Sequence, residues 1–546
     1  MATTRTRSNP RSRSVLVECP PLLELRWPVR YALNRLRPLV AMVLSCAIAL
    51  AASTAGAQSP HVTSSISVQE TLTNNVNLTS SEAAQSDLVS QITPALTINE
   101  RSARSRLSGT VSLPIVLYAR TGAENNNVYV DANATGTVEA IENFFFVDGN
   151  INVSQQYFTP FGAQPQGLTN ATNNRYTTGS YSVSPYIQGG ARGDVQYSVR
   201  DDNIWSTLNG TPFSLNNAYV NALTATLGRQ SQYVGWLTEY DRSQVRFNTQ
   251  PPLLSQLGRL SLFHSPDPQL RVSVDVGYEE NDYTFSHSRD TIYGVGGTWR
   301  PTPRTNVDAH WEHRFFGSSY LFNFSNNTRV TTWTLGASRN ITSYPQQVAA
   351  LPGGFDVQAL LNQLFLSTIP DPIERQNFVN QYILQNGIPT NLANPVYLYT
   401  QQITLVEQAN ASIGLLGARN SVVFSAFYLK QTPITAAGTP LPGIVNPGGN
   451  STQEGVGVVW THNLSPNLSL SMSGNAFRTV SNVAQNDPGF SAPTRQGYIT
   501  ATLTTPLSAY TQINGGVRYQ VLREDPTFGS GYTEAAVFIG LTHQFH

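Results

Sequence analysis

The sequence predicts an all-β fold: a transmembrane antiparallel up-and-down β-barrel of about 22 strands, within a range of roughly 18 to 24, with a small helical insertion in an outer loop. Three observations predict it. After residue 57, apolar and polar side chains alternate with period two over stretches of ~8–12 residues along nearly the whole chain. The connections between these stretches alternate between short turns and long polar loops. No stretch supplies the ~20 consecutive apolar residues that a spanning helix needs.

Composition agrees. Charged residues make up 12% of the 546, against ~25% in soluble globular chains. Ser, Thr, Asn and Gln supply roughly a third, while aromatics hold at 10%. Lys430 is the single lysine, which argues against a nucleic-acid partner.

Residues 1–57 read as a secretory signal with a long basic region. Arg5, Arg7, Arg11, Arg13, Arg26, Arg30, Arg35 and Arg37 precede an apolar run from Leu39 to Ala52, and Ala55-Gly56-Ala57 supplies small residues for cleavage. The basic region is long enough to place the true translation start downstream of Met1. The alternative lipoprotein signal, Val43-Leu44-Ser45-Cys46, stands too close to Arg37. Removal leaves a barrel over 58–546 with 25 basic and 31 acidic groups, net −6, and takes away both cysteines, Cys19 and Cys46. Thiolate chemistry and disulfides are then excluded.

The strands show one apolar and one polar face each. Val111, Leu113, Ile115 and Leu117 share a face. Leu270, Val272, Val274, Val276 and Tyr278 alternate with Arg271, Ser273, Asp275 and Gly277. Val307, Ala309, Trp311, His313 and Phe315 alternate with Asp308, His310, Glu312 and Arg314. Leu468, Leu470 and Met472 alternate with serines; Ile513, Val517, Tyr519 and Val521 alternate with Gln512, Asn514, Arg518 and Gln520; Ala535 to Phe545 closes the series. Trp299, Trp311, Phe315, Trp333, Tyr397, Tyr399, Trp460, Tyr510 and Tyr519 fall where interfacial aromatic girdles belong.

Short turns are predicted at 264–268, 301–304, 417–420, 465–467 and 505–509, on the periplasmic side. Long outer loops are predicted at 73–86, 158–175, 201–216, 279–288, 431–454, 480–494 and 524–533. The segment 344–400 is too apolar for a loop. Val357, Leu360, Leu361 and Leu364 follow helical spacing; Asp371-Pro372 with Glu374 reads as an N-cap, first-turn proline and capping-box partner, and Gly387 as a stop. Phe378, Val379, Tyr382 and Ile383 give the second helix an apolar face. The pair caps the mouth, enters the lumen or packs on neighbouring loops.

Val276-Gly277-Tyr278-Glu279-Glu280-Asn281-Asp282-Tyr283, Trp299-Arg300-Pro301-Thr302-Pro303-Arg304-Thr305, Glu312-His313-Arg314-Phe315-Phe316-Gly317, Ile369-Pro370-Asp371-Pro372 and Gly417-Ala418-Arg419-Asn420 carry a family resemblance. Together they resemble the outer-membrane β-barrel proteins associated with the PEP-CTERM protein-sorting and exopolysaccharide system of Gram-negative bacteria. The resemblance spans most of the chain after residue 57. It implies an outer-membrane location beside exopolysaccharide machinery and brings no active-site residues. Barrels of the outer membrane tend to end in an aromatic residue that the barrel-assembly machinery reads; here Phe545 is penultimate and His546 last.

The candidate lumen-lining residues are Arg271, Asp275, Asp308, His310, Glu312, Arg314 and Arg518. They form either a selectivity surface for a polar solute or a paired network that braces the interior. His310 and His313 point to opposite faces of one strand and cannot share an ion without a bulge. His287 with Ser288 and Asp290, and His264 with Ser265, are the pieces of a hydrolase. Neighbours on a strand diverge, so neither set is a preformed nucleophile and base. Glu279, Glu280 and Asp282 form an acidic loop without the spacing of a dedicated calcium site. No cofactor and no metal is expected. The expected function is passage or export of exopolysaccharide or a related polar solute, without catalysis. The alternatives are a closed structural or adhesive barrel that holds surface polymer by its loops, and, behind both, an outer-membrane hydrolase. The expected partners are outer-membrane lipid and lipopolysaccharide, the assembly machinery, and polysaccharide with its export components.

Overall fold

The computed structural model describes residues 61–545, apart from 191–193, 210–216, 230, 232, 249, 284–285, 351–356, 367, 387, 389–394, 398–399, 435–449, 484, 486–489 and 525–530. The signal segment, Gly387, Tyr399 and His546 lie outside the described residues.

Alternating polarity produces strands almost throughout. In chain order they are β1 (His61–Thr73), β2 (Asp87–Arg101), β3 (Ser105–Ser112), β4 (Ile115–Tyr118), β5 (Asn127–Val128), β6 (Asp131–Ile141), β7 (Phe145–Tyr157), β8 (Arg175–Gly189), β9 (Val195–Asn209), β10 (Ala218–Arg229), β11 (Val234–Phe247), β12 (Gln250–Asp267), β13 (Leu270–Tyr283), β14 (Ser286–Thr302), β15 (Thr305–Arg314), β16 (Gly317–Asn327), β17 (Thr331–Thr342), β18 (Thr404–Leu416), β19 (Asn420–Pro433), β20 (Ser451–Ser465), β21 (Leu468–Ser481), β22 (Thr494–Pro506), β23 (Thr511–Glu524) and β24 (Tyr532–Phe545). The helices are α1 (Gly122–Asn125), between β4 and β5, and α2 (Tyr344–Ala349), α3 (Val357–Leu364) and α4 (Pro372–Asn386), between β17 and β18.

Every pairing is antiparallel, and β1 closes onto β24 from Ser64↔Phe545 to Thr73↔Ala536. The 24 segments make 22 barrel strands. Proline explains the difference. β3 and β4 pair with β2 in one unbroken register, Ala95↔Ser112 and then Ile92↔Ile115. Between them lies Pro114, which has no N–H to donate. The ladder nonetheless continues, because Leu113 N donates to Pro94 O at 3.0 Å and Tyr129 N to Pro114 O at 2.9 Å. β3 with β4, and β5 with β6, are therefore single strands interrupted by a missing donor.

The two faces of the sheet match a membrane barrel. Val272, Val274, Val276 and Tyr278 of β13 point outward and are 41–56% exposed, while Asp275 and Glu279 point inward and are buried. Outward aromatic residues sit toward both rims, with Trp299 and Trp333 near the short turns and Tyr278, Tyr293 and Trp205 toward the other end. Backbone groups have no partners in hydrocarbon, so only a closed sheet is stable there. The protein is an outer-membrane β-barrel, with the short turns and both strand termini at the periplasmic rim.

Several expectations change. The predicted outer loop 279–288 is a hairpin, since β13 runs to Tyr283 and β14 begins at Ser286. The predicted loop 201–216 shrinks because β9 reaches Asn209. About 9–11 residues span a bilayer, whereas β12 has 18 and β14 has 17. These strands extend beyond the membrane, where both faces are wet, and a polar strand there reads as a loop. Phe315 is no girdle residue; it packs on Tyr283, ring centroids 6.1 Å apart, in the turn after β15. Tyr397 likewise belongs to the β17–β18 connection.

The helical insertion folds into the lumen. Asp371 caps α4, its Oδ1 accepting from Glu374 N at 2.9 Å, with Pro372 in the first turn. Val357, Leu360, Leu361 and Leu364 of α3 are buried against Val379 and Ile383 of α4 and against the inner-wall residues Val423 and Val459. Tyr382 OH donates toward Ser421 Oγ at 3.0 Å, and Ser421 is the second residue of β19, at the periplasmic end. The hairpin thus enters from outside and reaches the far end of the barrel. The sequence reading missed α2, although Ser343 and Gln346 supply a capping box for it.

Candidate functional site

The lumen is the candidate site. All seven residues singled out in the sequence lie on inward-facing positions, but they fall into two groups on opposite walls.

The first group covers β11 to β15. Arg259 of β12 bridges Glu239 Oε2, 2.5 Å away, and Glu312, with which it makes a short ion pair. His310 lies between Asp275, Nδ1 to Oδ2 3.7 Å, and Glu312, Nε2 to Oε1 3.0 Å. The Nε2 contact is a close approach without hydrogen-bond alignment. Arg314 donates twice to Glu279 Oε2, at 2.6 and 3.1 Å, and Glu279 Oε1 accepts from Phe315 N at 2.8 Å. Asp241 accepts from Thr224 at 2.7 Å, and Asp308 accepts from Asn306. Arg271 lies over the Phe263 ring at 5.6 Å.

Sequence reasoning missed Arg259, Glu239 and the inward Glu279. Cross-strand register brings them in, and register is not visible along one strand. Glycines of β14 clear the path. A Cβ at Gly296 would stand 2.7 Å from His310 Nδ1, and one at Gly294 would stand 2.9 Å from Glu312 Cγ. With no side chains there, the long groups of β15 lie flat across β14 toward β13 and β12.

On this strip seven carboxylates (Glu239, Asp241, Asp275, Glu279, Asp290, Asp308, Glu312) share the inward face with four guanidiniums (Arg259, Arg271, Arg300, Arg314) and one imidazole. The strip is electronegative. The side chains of His310, Arg259 and Glu239 stay 30%, 22% and 22% exposed, so water reaches them.

The second group is sealed. Arg518 of β23 pairs with Glu534 of β24 at 2.8 Å, with side chains 7% and 0% exposed. The covering element is the loop 158–174 between β7 and β8, which folds inward across the lumen. Arg518 donates to Gln166 O, Thr169 Oγ1 and Asn170 Oδ1 at 2.9–3.2 Å. Gln496 of β22 donates to Gly162 O at 2.8 Å and accepts from Gln164 N at 3.1 Å. Thr500 donates to Gln166 Oε1 at 2.7 Å, and Gln520 donates to Asn170 Oδ1 at 3.0 Å. The β1–β2 loop joins this cover, since Ala171 N donates to Val76 O at 3.0 Å. Here pairing braces the interior, because a charged pair out of water needs its partners.

The remaining candidates separate. His313 points outward and stacks on Tyr293 at 5.0 Å, away from the inward His310. Glu279, Glu280 and Asp282 belong to a strand, not a loop; Glu279 faces in to Arg314 while Glu280 faces out to Arg289 at 2.6 Å. They cannot surround one calcium ion. His287 and His264 lie toward the ends of their strands, His287 second in β14 and His264 fourth from the end of β12. His287 stands 3.8 Å from Glu280 on the outer surface, whereas Ser288 accepts from Asn281.

No protein-family model and no curated protein matches this chain. Among solved structures it is similar to the FrpB iron transporter from Neisseria meningitidis in its apoprotein form, at 9% identity over 88% of this chain and 81% of that one, TM-score 0.47. It is also similar to the siderophore receptor PirA from Pseudomonas aeruginosa, at 9% identity over 89% and 80%, TM-score 0.42. The outer membrane protein opdK from Pseudomonas aeruginosa matches at 7% identity over 89% and 99%, TM-score 0.33. At these values the likenesses bear on neither ligand nor mechanism.

Proposed function

We propose that this barrel passes a polar solute, of the exopolysaccharide or a related carbohydrate class, through its lumen without covalent chemistry. The observation that carries this reading is the charged strip on β11–β15, where His310, Arg259 and Glu239 keep partly exposed side chains while Asp275, Glu279 and Glu312 behind them are buried, whereas on the opposite wall Arg518 and Glu534 are both sealed by inward segments. Hydroxyls, amides and paired charges exchange hydrogen bonds with a hydrated solute at little net cost. The periplasmic half also offers ring faces. Phe146 and Tyr186 stack at 5.1 Å, with Arg200 5.0 Å from the Tyr186 ring. Such faces suit the apolar sides of sugar rings.

The α3–α4 hairpin is the element that sets the bore. Planar-bilayer recordings test this on the whole protein and on a variant in which 344–400 is replaced by a short Gly/Ser link. Heat-modifiable migration on SDS gels is required of both, as the sign of a closed barrel. The shortened barrel is expected to conduct several times more than the whole one, to prefer cations, and to be blocked by added oligosaccharide. A folded but silent variant rejects the reading. It would favour instead a closed barrel that holds surface polymer through its outer loops, a reading supported by the apolar packing of the hairpin on Val423 and Val459. Loss of polymer binding on loop trimming, with permeability unchanged, would then be the expected result.

A further inference from the structure

Three arginines stand side by side on the outer surface. Arg478 of β21 is the direct cross-strand partner of Arg495 of β22, and Arg495 is the partner of Arg523 of β23. All three share the outward face with Met472, Ile499, Leu503, Val517 and Tyr519, and all are exposed. They occupy the extracellular ends of their strands, with Arg495 second in β22 and Arg523 next to last in β23. Directly opposed residues are separated by about 4.5–5.5 Å between Cα atoms, and like charges so placed repel. Arg478 has Glu454 at 3.4 Å, a pair about half exposed. Among the described residues Arg495 and Arg523 have no carboxylate partner. A row of this kind is stable where an anion lies across it.

The surface below the row is apolar and hollow. Ala501 and Ala535 leave a depression of about 650 Å³ bordered outward by Leu72, Ile499, Val517, Tyr519 and Val537. It begins two outward positions below Arg523, at Tyr519, and runs across β24 and the β1–β24 seam to Leu72 and Thr73 at the outer end of β1, where Asn74 and Ser86 of the following loop close its rim. In a bilayer this depression faces the acyl chains of the outer leaflet, and the arginine row faces its headgroups.

We propose that this surface is a binding site for one phosphorylated, multiply acylated glycolipid of the outer leaflet, lipid A in chemical class. Its phosphates bridge Arg478, Arg495 and Arg523, and one acyl chain fills the hollow at Ala501 and Ala535. Guanidinium forks match phosphate oxygens in paired hydrogen bonds. The site lies outside the lumen and does not depend on what the lumen passes.

Native mass spectrometry of the detergent-purified whole protein titrated with bisphosphorylated lipid A tests the assignment. The expected result is one tightly retained lipid, with affinity lowered about tenfold for R495Q or R523Q alone and more for both together. Lipid stripped of its phosphates is expected to bind as weakly as the double variant does to the intact one. Ala535→Trp fills the hollow and keeps every arginine; it is expected to weaken binding while heat-modifiable migration stays normal. Thermal melting supplies a readout of opposite sign. In lipid-free detergent R495Q is expected to melt higher than the wild type, because repulsion is relieved, and with lipid A present lower. Unchanged binding in the double variant overturns the proposal, as does equal binding of the dephosphorylated lipid. Full competition by equimolar inorganic phosphate, or an A535W variant that binds as well as wild type, would show an anion site without an acyl chain and overturn it too.

Discussion

Arg259 is held by carboxylates from two other strands, and its loss has a definite cost. Glu312 is 4% exposed at its side chain, so truncating Arg259 leaves it without its guanidinium partner in a place water barely reaches. Arg259→Ala is expected to destabilise the barrel by about 3 kcal/mol, read as a lower midpoint of urea unfolding followed by tryptophan fluorescence. Arg104→Ala, which breaks a mostly exposed pair with Glu142, is expected to change it by less than about 1 kcal/mol. Similar effects from the two variants would contradict the account of the strip as a partly desolvated network. At this scale alternation was informative, because it placed Asp308, His310, Glu312 and Arg314 on one face. It said nothing of Arg259 or Glu239, which meet them only through the register of β11 to β15. It also misread Glu279 and Glu280, whose adjacency suggests one acidic cluster although the pleat sends them to opposite sides.

The α3–α4 hairpin was legible as helix and illegible as plug. Its cap at Asp371 and its apolar spacing are local, but the wall that receives Leu360 and Leu364 is built by β17 to β20, distant in sequence. Leu361 is 1% exposed at the centre of this packing. Leu361→Ala is expected to weaken the hairpin's seat by about 2–5 kcal/mol while leaving the strands paired. The matching observation is more frequent opening in bilayer recordings with heat-modifiable migration intact; recordings identical to wild type would separate the hairpin from gating. The inward loop 158–174 was read as an ordinary outer loop for a physical reason. Gln164, Gln166 and Asn170 bond equally well to water and to the amides and hydroxyls of a polar inner wall, so composition cannot tell the two settings apart.

For the molecule as a whole, strand number and closure were readable because the membrane imposes one rule on every segment, apolar outside and polar within. The proline at 114 and the wet extensions of β12 to β14 are where that rule is locally suspended, and they are where the expected boundaries moved. The inward loop is fastened to β21–β24 largely by neutral donors and acceptors, with the Arg518–Glu534 pair as its charged anchor, Glu534 accepting from Asn170. Water substitutes for such bonds at roughly 1 kcal/mol each, and dissolved ions screen them little. Withdrawal of this cover should therefore respond to mild urea far more than to added sodium chloride, as hydrogen–deuterium exchange of residues 158–174 would register. A latch of that kind yields to whatever competes for its amides, and a hydrated chain of hydroxyls is such a competitor: under the passage proposed above, a solute of that type would loosen the cover of the wall facing its path and so widen the lumen around itself.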